Sequence, residues 1–374
     1  MPPRPRPGGV GAPAPVQVVR KGRGATSRIA HRFERVTREV DGDALDAARA
    51  EKDDDEPLAP LPTEIAFEQV QSLLAYNESP DLGFDRSINP YRGCEHGCPY
   101  CYARPTHSYL NLSPGLDFET KLVAKRNAAE VLERELAAPG YRPALINLGA
   151  ATDAYQPIER ELKITRAIVE VLTRARHPFA IVTKAALVER DLDLLAPAAQ
   201  LGLVAVFFSL TTLDAALART LEPRAASPRR RLRAIETLAR AGVPVHVNVA
   251  PIIPFVNEPE IESLLAAAAA AGASGAHYAV LRLPWEVDPI FQDWLRAHFP
   301  QRHARVMNRV RDMRGGKDYD ARFGARMKGE GVWAELIRQR FEKAAARVGL
   351  TRGGVELRDD LFTPPRPGPQ LDLF

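Results

Sequence analysis

Three cysteines, Cys94, Cys98 and Cys101, carry the clearest chemical signal in this 374-residue sequence. They are the only cysteines in the chain, and three in one short segment do not make a disulfide framework. The spacing C-x3-C-x2-C instead places three thiolates on one loop, where they can hold a metal centre. One interpretation is a zinc site completed by His96 or His107. The other is an iron–sulfur cluster, which normally takes four thiolates and would here leave one iron open to a substrate or cofactor.

The elements around this loop predict an α/β fold, a partial (β/α)6 TIM-type barrel. Short apolar or β-branched runs alternate with amphipathic helical stretches, a pattern typical of βα units and a parallel sheet. The predicted strands are 88–92, 144–149, 179–183, 203–210, 243–250 and 278–283, and the predicted helices are 121–138, 161–176, 191–201, 228–241 and 258–271. Six repeats favour a partial barrel over residues 61–288, with its chemistry at the carboxyl ends of the strands. Arg-rich helices over 289–350 predict a helical cap.

Both ends of the sequence are predicted to be disordered. Residues 1–39 hold nine basic and two acidic side chains, and residues 41–56 hold eight acidic and two basic ones. This composition predicts a flexible arm over 1–60, basic and then acidic. Residues 351–374, with their proline-rich spacer, are predicted to be a flexible tail. No run approaches the roughly 18 to 20 apolar residues that a bilayer span needs, and no secretory signal is recognisable, so we expect a cytoplasmic location without membrane attachment.

The segment from Ser87 to Arg104 resembles the radical S-adenosylmethionine (SAM) superfamily. The resemblance rests on the cysteine spacing, on Tyr100 before the third cysteine, and on the run Ser-Ile-Asn-Pro-Tyr-Arg-Gly before the first. The wider match, over roughly residues 80–285, is similar to the branch that includes spore photoproduct lyase and its uncharacterised bacterial relatives. It implies a [4Fe-4S] cluster on the three cysteines, with SAM bound to the fourth iron. It also implies reductive cleavage of SAM to a 5'-deoxyadenosyl radical, with an electron donor such as flavodoxin or ferredoxin.

Polar residues at the predicted strand ends are the candidates for binding SAM. In the photoproduct lyase branch a lysine and a serine at matching positions hold the SAM carboxylate, and the resemblance assigns those roles to Lys184 and Ser209. A lysine suits this role because it pairs with the carboxylate charge in a pocket of low dielectric constant. The other candidates, chosen by position, are Tyr100, Asp153, Glu222 and Asn248. Aspartate and asparagine at such places also cap helices or form turns.

Two tyrosines are candidate hydrogen-atom donors. Spore photoproduct lyase uses an additional cysteine for this step, and the present sequence has none beyond the three. Tyr91 and Tyr155 are therefore predicted, by the resemblance, to take its place.

The last five residues, 370–374, are close to the pentapeptide that binds the bacterial DNA polymerase sliding clamp. The residues expected to bind the clamp are Gln370 and the apolar anchors Leu371, Leu373 and Phe374. A short peptide of this kind docks into a preformed pocket. Together with the lyase-like core, it predicts a bacterial enzyme that acts on DNA, in lesion repair or base modification. The alternatives are a radical SAM enzyme acting on RNA, protein or a small metabolite, and a non-enzymatic zinc-binding adaptor on DNA.

Overall fold

Ten strands form two sheets in the part of the chain that the computed structural model describes, residues 19–34 and 61–365. In chain order the strands are β1 (Glu64–Glu68), β2 (Ala75–Tyr76), β3 (Arg86–Ile88), β4 (Tyr91–Arg92), β5 (Lys121–Lys125), β6 (Ile146–Leu148), β7 (Phe179–Thr183), β8 (Val204–Ser209), β9 (Val245–Ile252) and β10 (Gly275–Val280). The main sheet has the order β10-β9-β8-β7-β6-β3-β2, and a small sheet has the order β1-β5-β4. From β10 to β3 all neighbours in the main sheet are parallel, and β2 is antiparallel to β3. The six parallel strands confirm the predicted partial barrel.

Six helices pack on the outer face of the main sheet. They are Ala128–Leu136, Ile164–Arg174, Leu192–Gln200, Pro228–Arg240, Ile261–Ala270 and Gly331–Arg347. Alternate residues of the strands complete this core, and in β8 the side chains of Val204, Val206 and Phe208 are fully buried in it. Successive side chains of a strand point to opposite faces, so the intervening residues, up to Ser209, lie on the inner face of the barrel. Shorter or peripheral helices are Asp117–Thr120, Glu159–Leu162, Ala215–Leu221, Val287–His298, His303–Asp312 and Ala325–Lys328. Among the described helices, none has the length and apolar character needed to cross a bilayer.

Two predicted elements differ from the structure. The predicted strand 88–92 is divided between β3 in the main sheet and β4 in the small sheet. Pro90 lies between them and has no N–H to continue a ladder of hydrogen bonds. The predicted helix 121–138 begins as strand β5, and the helix itself starts only at Ala128. Buried and half-buried residues alternate along β5, which is the period of a strand and not of a helix.

Residues 19–34 pack against the barrel, so the prediction of a flexible arm is wrong for this stretch. Arg23, Ala25 and Ser27 are all buried. Their contacts are mainly hydrogen bonds to a distant part of the chain, which composition does not reveal. The rest of the predicted arm, 1–18 and 35–60, lies outside the described residues.

The C-terminal helices occupy two different places. Val287–His298 and His303–Asp312 share an apolar cluster with Cys98 and Tyr100, and so cover the carboxyl end of the barrel. Gly331–Arg347 instead packs beside the neighbouring outer helix and extends the outer layer. The predicted cap therefore covers only the first part of 289–350.

Residues 351–365 cross the amino end of the main sheet. The N–H of Arg358 donates to the carbonyl of Gly202, which precedes β8, at 2.9 Å. The N–H of Thr363 donates to the carbonyl of Ala175, which precedes β7, also at 2.9 Å. This part of the predicted flexible tail is therefore held in place. Residues 366–374, with the predicted clamp-binding pentapeptide, lie outside the described residues.

Candidate active site

The cysteine loop, residues 93–103, leaves β4 at the carboxyl end of the barrel. Cys94 and Cys98 are buried and Cys101 is partly exposed. Gly93 and Gly97 have φ values of 80° and 70°, a left-handed backbone conformation that suits glycine. The Cys94 N–H donates to the carbonyl of Phe118 at 2.9 Å, which fixes the start of the loop. The three thiols therefore lie on one tight, anchored turn.

A buried ion pair supports this loop from behind. The guanidinium of Arg104 donates to the Cys98 carbonyl at 2.7 Å and pairs with Glu119, and both side chains are fully buried. Glu119 also accepts the backbone N–H groups of Gly24 and Ala25, at 3.0 and 2.8 Å. A Cβ atom on Gly24 would lie only 1.7 Å from the carbonyl oxygen of Gly97 in the loop. The N-terminal segment 19–34 is thus part of the site, a role that only the Gly/Arg-rich run at 21–24 could have suggested.

The strand-end run after β6 supports the loop from its other side. The hydroxyl of Thr152 donates to the Gly93 carbonyl at 2.7 Å. Gln156 donates to the same carbonyl at 3.3 Å and accepts the N–H of Glu95 at 2.8 Å. The sequence alone did not single out Thr152 or Gln156, because a glutamine that hydrogen-bonds a loop carries no distinctive spacing.

Asp153 connects the cysteine loop to the end of β7. Its carboxylate accepts the Thr183 hydroxyl and the Lys184 N–H, each at 2.7 Å, and lies 3.3 Å from the ring of His96. Burial opposes ionisation, but His96 and these hydrogen bonds prevail and lower the pKa of Asp153 to about 2. Both oxygens are already in use, so the geometry favours Asp153 as a positioning residue over the predicted contact with SAM.

Glu222 organises a second buried network beneath Tyr100. It accepts the phenolic hydroxyl of Tyr100, the hydroxyl of Thr211 at 2.8 Å and the guanidinium of Arg231 at 2.5 Å. Burial opposes ionisation, but the charges of Arg231 and Lys184 lower the pKa of Glu222 to about 2. Arg231 in turn donates to the Ser209 carbonyl at 3.0 Å. Glu222 therefore fixes the loop tyrosine and the end of β8, and its oxygens are not free for SAM.

Lys184, Ser209 and Asn248 lie at the same rim of the barrel. Ser209 and Asn248 are register partners in β8 and β9, both on the inner face, and Lys184 directly follows β7. The Lys184 ammonium lies 5.9 Å from the centre of the Tyr100 ring. Burial lowers the pKa of Lys184, but the neighbouring Cys98, Glu222 and Asp153 more than offset this, and the pKa is raised. A half-buried cation beside the cysteines is the arrangement expected to receive a carboxylate.

The inner face of the barrel below these residues, called the lumen here, is partly accessible to solvent. Val182, Phe207 and His277 lie on this face and are neither exposed nor fully buried. His246 lies 3.1 Å from His277 between ring nitrogens, and burial lowers the pKa of His246 to about 4. The lumen thus presents an uncharged surface of aromatic and polar side chains to a substrate group.

Tyr91 and Tyr155 lie away from this lumen, in the core shared with the outer helices. The hydroxyl of Tyr91 donates to Glu159, and that of Tyr155 donates to Asp191 at 3.0 Å. Arg190 pairs with both carboxylates, each at 2.8 Å. The placement favours a structural role for both tyrosines over the predicted donation of a hydrogen atom.

The cysteine set suits an iron–sulfur cluster better than zinc. Burial raises the pKa of Cys98 to about 12 and that of Cys94 well above its ordinary value. Thiols in such a place become thiolates when a metal cation offsets their charge, which zinc and the irons of a cluster both do, so the choice rests on the arrangement of the side chains. Within residues 19–34 and 61–365, no three histidine, cysteine or carboxylate side chains are arranged around a single metal position. His96, one of the two histidines considered for zinc, is instead paired with Asp153.

Comparison with known proteins identifies the family. The sequence model described as "Radical SAM superfamily" matches residues 88–268. The chain belongs to the radical SAM superfamily. An uncharacterized protein of Mycobacterium tuberculosis is 38% identical over 254 residues, which are 67% of this chain and 74% of that relative. An uncharacterized protein of Methanocaldococcus jannaschii is 28% identical over 192 residues, which are 51% of this chain and 70% of the relative.

The fold also has solved counterparts within this superfamily. The structure of spore photoproduct lyase complexed with dinucleoside spore photoproduct has a TM-score of 0.54 and 16% identity, over 77% of this chain and 81% of that one. At this identity the likeness shows the fold, which the sequence predicted. The radical SAM assignment also overturns the zinc alternative.

As a radical SAM enzyme, the protein uses a [4Fe-4S] cluster and SAM. Cys94, Cys98 and Cys101 would hold the cluster. Together the cluster and SAM supply one-electron reductive cleavage of SAM and the radical chemistry that follows. Lys184 would pair with the carboxylate of SAM, and the cap helices over Cys98 and Tyr100 keep water from this side of the loop.

Proposed function

We propose that this radical SAM enzyme acts on DNA, in lesion repair or base modification. The observation that carries the proposal is a basic pocket beside the cysteine loop, about 450 Å³ in volume. Four arginines and a single glutamate are the charged residues that line it, together with His96 from the loop: Arg160, Arg190, Arg224, Arg230 and Glu189. Clustered arginines are the usual means by which proteins hold backbone phosphates.

The arginines of this pocket differ in how far they are already engaged. Arg224 pairs with Glu95 at 2.8 Å, Arg230 pairs with Glu189, and Arg190 pairs with buried carboxylates. Within the described residues Arg160 forms no ion pair or side-chain hydrogen bond. An exposed arginine at the edge of a pocket with its guanidinium unpaired is available to a phosphate.

Two further observations support a DNA substrate. Spore photoproduct lyase, whose fold this chain shares, has been solved with a dinucleoside photoproduct. The partly accessible lumen could receive a base, which must leave the stack to meet a buried radical. The C-terminal residues 370–374 supply the second observation, since binding to the sliding clamp would bring the enzyme to replicating or repaired DNA.

The first experiment is anaerobic reconstitution with iron and sulfide, reduction, and addition of SAM with ultraviolet-irradiated DNA, intact DNA, RNA or no nucleic acid. We expect 5'-deoxyadenosine from the wild type, faster with DNA, and none from Cys98→Ala. Equal rates with and without DNA would contradict the proposed substrate and leave RNA, protein or a small metabolite. Arg160→Ala should weaken DNA binding a few-fold and reduce the salt dependence by about one charge. Arg174→Ala, on an exposed outer helix, is the matched control.

Recruitment by the clamp is tested separately. Full-length protein should retain purified sliding clamp in a pull-down, and a variant lacking 370–374 should not. No retention by the full-length protein at micromolar concentration would refute recruitment without affecting the proposed reaction.

A further inference from the structure

Four side chains form an aromatic platform at the carboxyl end of the barrel: Arg32, Phe33, Tyr109 and Trp285. The Arg32 guanidinium lies 4.3 Å from the centre of the Trp285 ring, 5.0 Å from Phe33 and 5.7 Å from Tyr109. Phe33 and Tyr109 are in contact, with ring centres 5.4 Å apart. Buried Glu286 accepts the backbone N–H of Arg32 at 3.1 Å and its guanidinium at 3.2 Å, which fixes the arginine among the rings.

The three rings remain largely open to solvent. Tyr109 is 70% exposed, Trp285 67% and Phe33 49%. Trp285 also has a φ of 47°, in the left-handed region that is unfavourable for a residue with a Cβ. A strained backbone that presents an indole to solvent is not explained by packing, since little of the ring is buried. Such strain is typical of residues held in place for a function.

The platform lies where the two edges of the open sheet approach each other. Trp285 follows β10, which forms one edge of the main sheet. Tyr109 follows the cysteine loop, which leaves β4 just after β3, the parallel strand nearest the other edge. A second arginine–aromatic pair is formed by Arg282 and Tyr102. The Arg282 guanidinium lies 5.5 Å from the centre of the Tyr102 ring, which is itself 52% exposed. Nε of Arg282 is buried without a hydrogen-bond partner. The open side of the barrel thus carries exposed rings with arginines between them.

The chemistry of this surface favours nucleic acid as the occupant. Segment 19–34, which brings Arg32 and Phe33 to the platform, has five basic residues and one acidic residue. Exposed aromatic rings combined with arginines are the usual surface for unpaired bases, because every base offers a π face and the strand is anionic. Tryptophan, tyrosine and arginine are also enriched in protein interfaces, so it is the basic charge of segment 19–34 that favours a polyanionic strand as the occupant.

We infer that the aromatic platform stacks unpaired bases of a DNA strand beside the barrel opening. The inference rests on the proposed DNA substrate and adds where the strand lies. A base that enters the lumen leaves its neighbours unpaired. The platform would hold those neighbours and so keep the strand at the opening.

The test measures fluorescence anisotropy of a labelled short oligothymidylate with the full-length protein at one fixed salt concentration. The double variant Tyr109→Ala, Trp285→Ala should bind about 10-fold or more weakly, as expected when stacking on two rings is lost. Wild type should prefer oligothymidylate to an abasic strand of equal length, and the variant should lose this preference. Both replaced side chains are exposed, and circular dichroism would verify that the variant folds.

Tyr76→Ala is the matched control. Tyr76 is 65% exposed and has Arg86 at 5.5 Å from its ring, but it pairs with the first residue of β3, at the opposite end of the barrel. This variant should bind as the wild type does. If wild type binds DNA and the double variant binds equally well, or if abasic and normal strands bind alike, the platform is refuted and the DNA substrate stands. If wild type binds no DNA, the proposed substrate and this inference both fall.

Discussion

Replacing Glu222 by glutamine should destabilise the protein by about 3 kcal/mol. The lowering of the pKa of this carboxylate from 4.5 to about 2 corresponds to that amount, at about 1.4 kcal/mol for each pH unit. An independent figure is similar, since removing one partner of a buried ion pair typically costs about 3–5 kcal/mol. The cost is high because Arg231 is only 1% exposed and would keep its charge without an anion.

The assay is urea unfolding of the reduced, metal-free protein, followed by circular dichroism at pH 7 and at lower pH. Because the folded-state pKa of Glu222 lies below its unfolded value, its stabilisation is complete above pH 4.5 and is lost as the pH falls toward 2. The wild type should therefore lose more stability over this range than Glu222→Gln does. Adding Arg231→Met to the variant should recover part of the loss, since the unpaired charge is then gone.

Glu262→Gln is the control for this prediction. Glu262 also pairs with an arginine, Arg340 at 2.8 Å, but its side chain is 37% exposed, so the change should cost under about 1 kcal/mol. A loss below about 1 kcal/mol for Glu222→Gln as well would refute the view that the buried carboxylate maintains the network under Tyr100.

Three further predictions concern the site. Lys184→Met should raise the KM for SAM by about 10- to 100-fold, which is the loss of affinity expected when a charge-assisted hydrogen bond is removed. An unchanged KM would exclude the lysine from SAM binding. Gly24→Ala should release segment 19–34, because the added Cβ would meet the Gly97 carbonyl. The release would be measured as faster proteolysis of the N-terminus and lower iron content. Gly83→Ala, with open space around it, should change neither. Tyr155→Phe should cost about 1 kcal/mol of stability and leave turnover unchanged. If product formation were lost while cleavage of SAM stayed normal, Tyr155 would again be a candidate hydrogen-atom donor.

Much of the fold could be predicted because its signals are local. The strands β6 to β9 were found from short apolar runs, and Lys184, Ser209 and Asn248 met at one rim because the carboxyl ends of parallel strands share an edge. The small sheet was missed because β5 is a five-residue alternation that leads directly into a helical pattern.

The roles of the carboxylates could not be predicted from sequence. Asp153 and Glu222 were chosen as SAM-binding candidates because they follow strands, yet both are occupied by partners distant in the chain, His96 for Asp153 and Tyr100 for Glu222. Likewise, the burial of residues 19–34 depends on Glu119, almost a hundred residues away. Spacing and composition describe a segment alone, and these contacts exist only after the chain has folded.

The path of residues 351–365 affects how a partner and a substrate could share the molecule. Through Arg358 and Thr363, the chain is fastened to the amino end of the main sheet, whereas the barrel opens at the carboxyl end. A protein that contacts residues 351–365 would therefore approach from the side opposite the opening. Binding of a partner at this end and catalysis at the barrel opening could then occur at the same time, because neither would obstruct the other.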